Sequence, residues 1–381
     1  MSFSLYIHIP YCHSKCPYCD FNSHAVANWP EENYVQALCA EMADRSGEPP
    51  WSDDRIRTIF FGGGTPSLFS PGSIGRIIES AERRFGIEAD AEITLEANPG
   101  TVDLAKLKGF RTAAVNRLSF GAQSFNPATL KFLGRIHGPE ETRMAARRAH
   151  QAGFERLNLD LIFAVPGQTL DEVMDDIGEV AALEPDHVSA YNLTFEEGTA
   201  FYTELRRGRI KPLPNDDQAA MYAAVREELP RRGYGMYEIS NYAKLGRECQ
   251  HNLTYWHAES YLGLGAGAHS FARRGTGGRR WWNERMPARY ITAALEGKAE
   301  VGHETIEEAM AAGEFVFLNL RLAEGFRQAD FQRRFSRSFD EIFGARAARL
   351  AEDGLLVRDG DRIRLSDRGL EMADSVFAEF L

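Results

Sequence analysis

The sequence predicts an α/β fold: six strand–helix units forming a parallel sheet, as a barrel or partial barrel, followed by a smaller helical domain of winged-helix type. Three observations carry this. Strand-period and helix-period segments alternate through residues 5–232. Residues with chemistry to offer stand at strand ends: a cysteine cluster after the first strand, three glycines after the second, Glu96 ending the third and Gln123 after the fourth, with Asp160 inside the fifth. In a β/α barrel such ends converge on one mouth. Beyond residue 234 the texture turns glycine- and aromatic-rich, and then helical.

In chain order, Leu5, Ile7 and Ile9 alternate with Tyr6 and His8, as in a half-buried strand. Tyr34, Val35, Leu38 and Met42 fall at helical spacing. A strand over 56–61 runs into Gly62-Gly63-Gly64-Thr65-Pro66, and a helix over 71–85 opens with proline in its first turn. Then come strand 91–99, helix 101–113, strand 115–123, helix 139–153, strand 155–163, helix 169–185, strand 187–194 and a helix over about 215–232. Parallel strands joined this way take right-handed crossovers. Residues 273–284 read as a loop or hairpin, and Asp359-Gly360 as a hairpin flanked by helices. Three segments are expected: a barrel over 1–235, a linking region over 236–300 and a C-terminal domain over 301–381.

Hydrophobic residues make up 44% and charged residues 26% of the 381, which predicts a packed core. No run approaches the ~18 apolar residues of a membrane span, and the first residues do not read as a signal peptide. A cytoplasmic location is therefore expected, where thiols stay reduced and clustered cysteines point to metal binding or catalysis. The net charge of −11 offers nucleic acid no general footprint. The wing-like segment 344–381 carries six arginines against eight acids, which favours a structural or docking role over DNA binding.

Cys12-x3-Cys16-x2-Cys19 admits three readings. Unligated core cysteines are disfavoured, because a loop holding Pro10 and Pro17 cannot turn all three thiols to one core. A zinc site with His24 as fourth ligand has acceptable spacing. An iron–sulfur cluster on three thiolates would leave one iron open. Beside these thiols, the glycines allow close backbone approach to a ligand, and Glu96 fits a structural carboxylate and an acceptor for a ribose hydroxyl equally well. Asp160, flanked by Leu159 and Leu161, is costly to bury unpaired and needs a protein donor or a ligand.

The cysteine spacing, with Tyr18 before the last thiol, resembles the signature of the radical SAM superfamily. That resemblance implies a [4Fe–4S] cluster on Cys12, Cys16 and Cys19. It also implies an open iron that holds S-adenosylmethionine (SAM) by its amino and carboxylate groups. Reduction of the sulfonium then yields methionine and a 5′-deoxyadenosyl radical. Across almost the whole chain, "LYIHIPYC", "GGGTPS", "EANPG", "GAQSFN", "LGRIHG", "NLDLIFAVPGQT" and "HNLTYW" resemble the oxygen-independent coproporphyrinogen oxidase family and its haem-chaperone branch. The family implies a partial six-unit barrel with a helical C-terminal domain. It places SAM contacts on Tyr6, Tyr18, Gly63, Gly64, Thr65, Glu96, Gln123, Arg135 and Asp160, not apportioned between the two SAM molecules the family accommodates.

The chain departs from the oxidases in two places. Phe21 stands where they carry a further cysteine, and Tyr6 follows a very short lead where they have an N-terminal extension. Both departures argue against coproporphyrinogen oxidation and match the haem-chaperone branch. The HNxxYW stretch resembles that branch's haem motif, which implies His251 as axial ligand with Asn252, Tyr255 and Trp256 around the porphyrin. Cys249, His257 and His269 are rival ligands. The expectation is a haem chaperone that binds the cluster, SAM and haem and delivers haem to haem proteins, membrane-bound respiratory ones included, from the cytoplasm or the membrane periphery. Whether SAM is cleaved, and whether the chain forms a homodimer, stay open. The alternatives are a radical SAM enzyme acting on a tetrapyrrole and a non-redox zinc module.

Overall fold

The computed structural model describes residues 2–381. Six parallel strands lie side by side in chain order: β1 (Ser2–Ile9), β2 (Arg55–Gly63), β3 (Ile87–Ala97), β4 (Arg117–Gln123), β5 (Arg156–Phe163) and β6 (His187–Asn192). Helices Glu31–Arg45, Pro71–Phe85, Leu104–Thr112, Pro139–Gln151 and Leu170–Ala182 make the crossovers, and helix Asn215–Arg231 follows β6. The sheet does not close. Outside β1, Tyr261–Leu264 adds a seventh parallel strand, continued by the antiparallel strands His269–Arg274, Gly277–Asn283 and Glu300–Ile306. Outside β6, Asn241–Ala243 and then Gly235–Glu238 pair antiparallel. The expected partial six-unit barrel is thus present, opened into a twelve-stranded sheet among the described residues.

Local chemistry explains the elements. Ser70 caps helix Pro71–Phe85 by accepting the Ser73 N–H, and Pro71 supplies a pre-set first turn. Thr169 and Glu172 form a capping box on helix Leu170–Ala182. In β1, Phe3, Leu5, Ile7 and Ile9 are fully buried against the helices, while Ser4 and His8 are buried on the inner face. Burial on both faces is what a parallel sheet imposes. Where strand 91–99 and helix 101–113 were expected, the strand starts at Ile87 and ends at Ala97. Asn98 then accepts the Gly100 N–H in a turn, a short 3-10 segment spans Pro99–Thr101, and the helix starts at Leu104, capped by Asp103.

Two hydrophobic cores result. One runs from Phe3 to Ala299 and includes Leu262, Leu264, Trp281 and Tyr290, so the segment after residue 235 packs into the barrel. Glu41 fixes it there: the buried carboxylate accepts from Tyr290 Oη (2.7 Å), Asn283 Nδ2 (2.6 Å) and Gly265 N (3.1 Å). The other core, rich in phenylalanine (Phe315, Phe331, Phe335, Phe339, Phe343), lies almost wholly within 306–380. It is roofed by a three-stranded sheet whose hairpin, Leu356–Asp359 with Arg362–Leu365, is the wing read from the sequence.

Candidate functional site

A cavity of about 1770 Å³ opens at the carboxyl ends of the six strands. The cysteine loop leaves β1 at Pro10 and returns through a parallel bridge of Tyr11–Cys12 with His24–Ala25. Inside the loop, Cys19 N–H donates to the Cys16 carbonyl (3.1 Å), and Lys15 Nζ donates to the carbonyls of Phe21 and Ser23 (both 3.1 Å). Asn22 ties the loop to the barrel's added strands through Nδ2 bonds to the Ala266 and Arg285 carbonyls (both 2.9 Å). His8 Nε2 donates to Asn22 O (2.9 Å), and its Nδ1 accepts from Tyr6 Oη (2.9 Å). Burial lowers the His8 pKa to about 4, so this bridge is neutral.

All three thiols line the cavity. Thr65 Oγ1 donates to Cys12 Sγ, and Arg135 Nη1 to Cys16 Sγ, both at 3.4 Å, while Ser23 Oγ lies 3.8 Å from Cys19 Sγ. Burial pushes the Cys12 and Cys19 thiols up, and the neighbouring thiols add to it. Metal binding would displace those protons. Among the described residues, no three His, Cys, Asp or Glu side chains meet closely enough to hold a single ion. His24 is not among the residues that line the cavity with the three thiols. Three thiols lining one cavity, two of them receiving hydrogen bonds, suit the wider, anionic sulfur frame of an iron–sulfur cluster.

The nine residues singled out for SAM also line this one cavity. Gly63 adopts φ +108°, and a Cβ there would fall 2.4 Å from the His8 ring; one on Gly64 would fall 2.6 Å from the Tyr11 carbonyl. Glycine is required because the turn packs on the cysteine loop. The backbone N–H groups expected to face a ligand are used otherwise: Gly64 donates to Ile9 O, Thr65 to Tyr11 O, and Gly63 to Glu96 Oε2 (3.3 Å). Gln123 holds φ +67°, a strained conformation for a side chain of that size, at the carboxyl end of β4. Asp160 finds the donor it needs in Asn158 Nδ2 (2.7 Å).

Burial, reinforced by the charge of Asp160, raises the Glu96 pKa to about 8, against the pull of Gly63 N–H. The folded protein therefore holds a proton that the unfolded chain loses above about pH 4.5, and ligand-free stability falls as pH rises from there toward 8. Denaturant melts of Glu96→Gln at pH 5 and pH 8 check this. The variant is expected to gain on the wild type as pH rises, and a pH-independent difference would refute the shift.

The HNxxYW stretch forms helix Gln250–Trp256. Glu92 anchors its start, accepting from His251 N (3.2 Å) and Cys249 Sγ (3.5 Å) while pairing with Arg156 (3.0 Å). Asn252 and Tyr255 line the cavity; His251 and Trp256 lie behind that wall. His251 is 1% exposed, with Nδ1 2.7 Å from Thr58 Oγ1 and Nε2 2.9 Å from Tyr255 Oη. Burial and the charges of Arg57 and Arg117 lower its pKa to about 3, so the ring is neutral. Of the rivals, Cys249 and His257 are off the cavity wall; His269 lies on it, stacked against Trp282. The far end of the helix is held by the C-terminal domain. Arg334 Nη1 donates to the carbonyls of His257 (3.4 Å) and Ala258 (3.1 Å), and the Arg321 guanidinium lies 4.3 Å from the Trp256 ring centre.

Sequence reasoning missed Arg117, a buried cation on the cavity wall whose Nε has no protein partner, and the His187–Asn158–Ser119 network beside Asp160. A charged residue in "VNRLSF" among strand neighbours is the same signal that picked out Asp160, and it was available.

Comparison with known proteins agrees with this arrangement. The family model of the radical SAM superfamily matches residues 6–180, and that of the HemN C-terminal domain matches residues 307–371. Heme chaperone HemW of Bacillus subtilis is 37% identical over 99% of this chain and 99% of its own length. Heme chaperone HemW of Escherichia coli is 37% identical over 99% of this chain and 98% of its own. The structure of coproporphyrinogen III oxidase (HemN) from Escherichia coli superposes with a TM-score of 0.84 at 23% identity, covering 100% of this chain and 90% of that one, a likeness of fold. The radical SAM domain implies a [4Fe–4S] cluster and SAM, and among the described residues no helix is long and apolar enough to cross a membrane. The chain belongs to the HemW family of the radical SAM superfamily.

Proposed function

We propose that the chain is a haem chaperone. It holds its cluster on Cys12, Cys16 and Cys19, binds SAM along the wall from Tyr6 to Asp160, takes haem iron on His251, and passes the haem to haem proteins. The observation that carries this is Phe21: a 60% exposed aromatic residue on the cavity wall two positions after Cys19, where the oxidases present a thiol. A phenyl ring neither donates a proton nor carries an electron, whereas it suits the rim of a site for an apolar macrocycle. The full-length likeness to proteins named as haem chaperones supports the same conclusion.

Within the cavity the chain's own residues have separable tasks. Arg135 and Thr65 direct hydrogen bonds at two thiolates, which stabilises the anionic sulfur frame. Bound on that frame, the cluster would supply one electron to the sulfonium of SAM. Glu96 and Asp160 offer oxygen acceptors to polar groups of the ligand. Tyr255, Phe60 and Tyr6 surround His251 with aromatic faces suited to a porphyrin. Because burial keeps His251 neutral, its imidazole is a competent iron donor at physiological pH.

Haem titration followed by absorbance tests this. The wild type is expected to shift the Soret band, and His251→Ala to weaken binding at least about tenfold, or ~1.4 kcal/mol. An unchanged titration in His251→Ala would remove the named ligand. Formation of protoporphyrinogen from coproporphyrinogen under reducing, anaerobic conditions would instead establish an oxidase.

A further inference from the structure

The hydroxyl groups around His251 are oriented. Thr58 Oγ1 donates to Ser4 Oγ (2.8 Å). A hydroxyl has a single hydrogen, so toward His251 Nδ1, 2.7 Å away, Thr58 only accepts. Ser4 Oγ in turn lies 2.7 Å from Thr254 Oγ1, and Thr254 donates to the Gln250 carbonyl (3.2 Å). The Arg57 guanidinium gives Thr254 another donor (3.0 Å), which leaves Thr254 accepting from Ser4. This chain fixes the tautomer: the ring proton sits on Nδ1 and the lone pair on Nε2. Donation of one ring N–H to an oxygen is how ligating histidines are aimed at a metal.

That lone pair does not face the cavity directly. It meets Tyr255 Oη at 2.9 Å, where the phenol O–H donates to it. The four-residue spacing on one helix brings the two side chains together, edge to face with ring centres 5.2 Å apart. Tyr255 lines the cavity and His251 does not.

We propose that Tyr255 is a removable cap on a histidine already prepared to ligate haem iron: Thr58 positions His251, and Tyr255 closes its Nε2 until haem displaces the phenol. This rests on His251 being the haem ligand. A cap that competes with iron lowers affinity and favours release, which suits a carrier that must give its cargo up.

The first test needs no haem. In protein labelled with 15N-histidine, the His251 Nδ1 resonance is expected to be of the protonated type and Nε2 of the hydrogen-bonded imine type. In Tyr255→Phe, Nε2 is expected to move toward a free imine while Nδ1 is unchanged; in Thr58→Val the tautomer preference is expected to weaken. A ring proton on Nε2 in the wild type overturns the proposal. The second test is haem titration of Tyr255→Phe, which keeps the ring and removes one hydrogen bond. Binding is expected to tighten about three- to tenfold, with slower dissociation. Unchanged or weaker binding in Tyr255→Phe, with binding lost in His251→Ala, overturns the cap and leaves His251 as ligand. Unchanged binding in His251→Ala overturns the ligand and the cap with it.

Discussion

Cys16→Ser is expected to abolish the iron–sulfur chromophore of anaerobically reconstituted protein while leaving the fold in place. Three thiolates are the minimum that holds a cubane with one open iron, and a serine oxygen is a hard donor with a proton too tightly held to substitute. Cys16 contributes little to the apoprotein. Its thiol is partly exposed, and its hydrogen bond comes from Arg135, which also donates to Tyr18 Oη (3.4 Å) and the Gly121 carbonyl (2.9 Å). Visible absorbance with iron and sulfide analysis reads the loss, and circular dichroism melts read the fold. A variant that keeps the full cluster would show that the ligand set is wrong, and zinc without sulfide in the wild type would show that the metal is.

Glu92→Ala is expected to lower the unfolding free energy by about 3–5 kcal/mol, because it removes one partner of a buried ion pair. The Glu92 side chain is 2% exposed and Arg156 23%. The same carboxylate also receives the Cys249 thiol and the His251 N–H, so its loss leaves buried donors unmet at the start of helix Gln250–Trp256. Glu92→Gln keeps an acceptor for those two groups and is expected to lose less. Urea melts on the ligand-free protein measure both, and a loss below about 1 kcal/mol for the alanine variant would mean that the pair is not structural. Haem binding should fall with Glu92→Ala even at temperatures where the chain stays folded, since the helix that carries His251 loses its anchor.

The legible parts of the molecule are those that local chemistry decides. Helix Pro71–Phe85 has its bounds written in Ser70, Pro71 and Gly86. β5 is read almost to the residue because leucines and isoleucines flank Asp160 on a strand buried on both faces. The convergence of Cys12, Glu96 and Gln123 follows from strand direction, since each lies at or just past a carboxyl end, and Asp160, inside its strand, joins them on the cavity wall. What could not be read is pairing over long sequence separation. Nothing local to Tyr261–Leu264 says that it lies parallel to β1, some 250 residues earlier, and a short apolar run gives no register without its partner. His251 was legible as chemistry but not as geometry. The motif names the imidazole, yet its position behind Tyr255 depends on Thr58 and Ser4, which neighbouring strands bring beneath the helix.

The two arginines that reach back from the C-terminal domain impose an order on biosynthesis. Chains emerge from the ribosome N-terminus first, and domains fold as units as they appear. The thiols, the glycine turn, Glu96, Gln123 and Asp160 are all translated by the end of β5 at Phe163. Helix Gln250–Trp256 comes later, and the carbonyls of His257 and Ala258 just past its end lack their guanidinium donor until Arg334 is made and its helix, Gln328–Phe335, has packed. A helix of seven residues has little stability of its own. The residues of the sulfur-lined half of the cavity are therefore translated well before the wall that carries Tyr255, but their loop is tied down only when Ala266 and Arg285 are made to accept from Asn22, so a ribosome stalled before residue 266 would display the thiols on an untied loop.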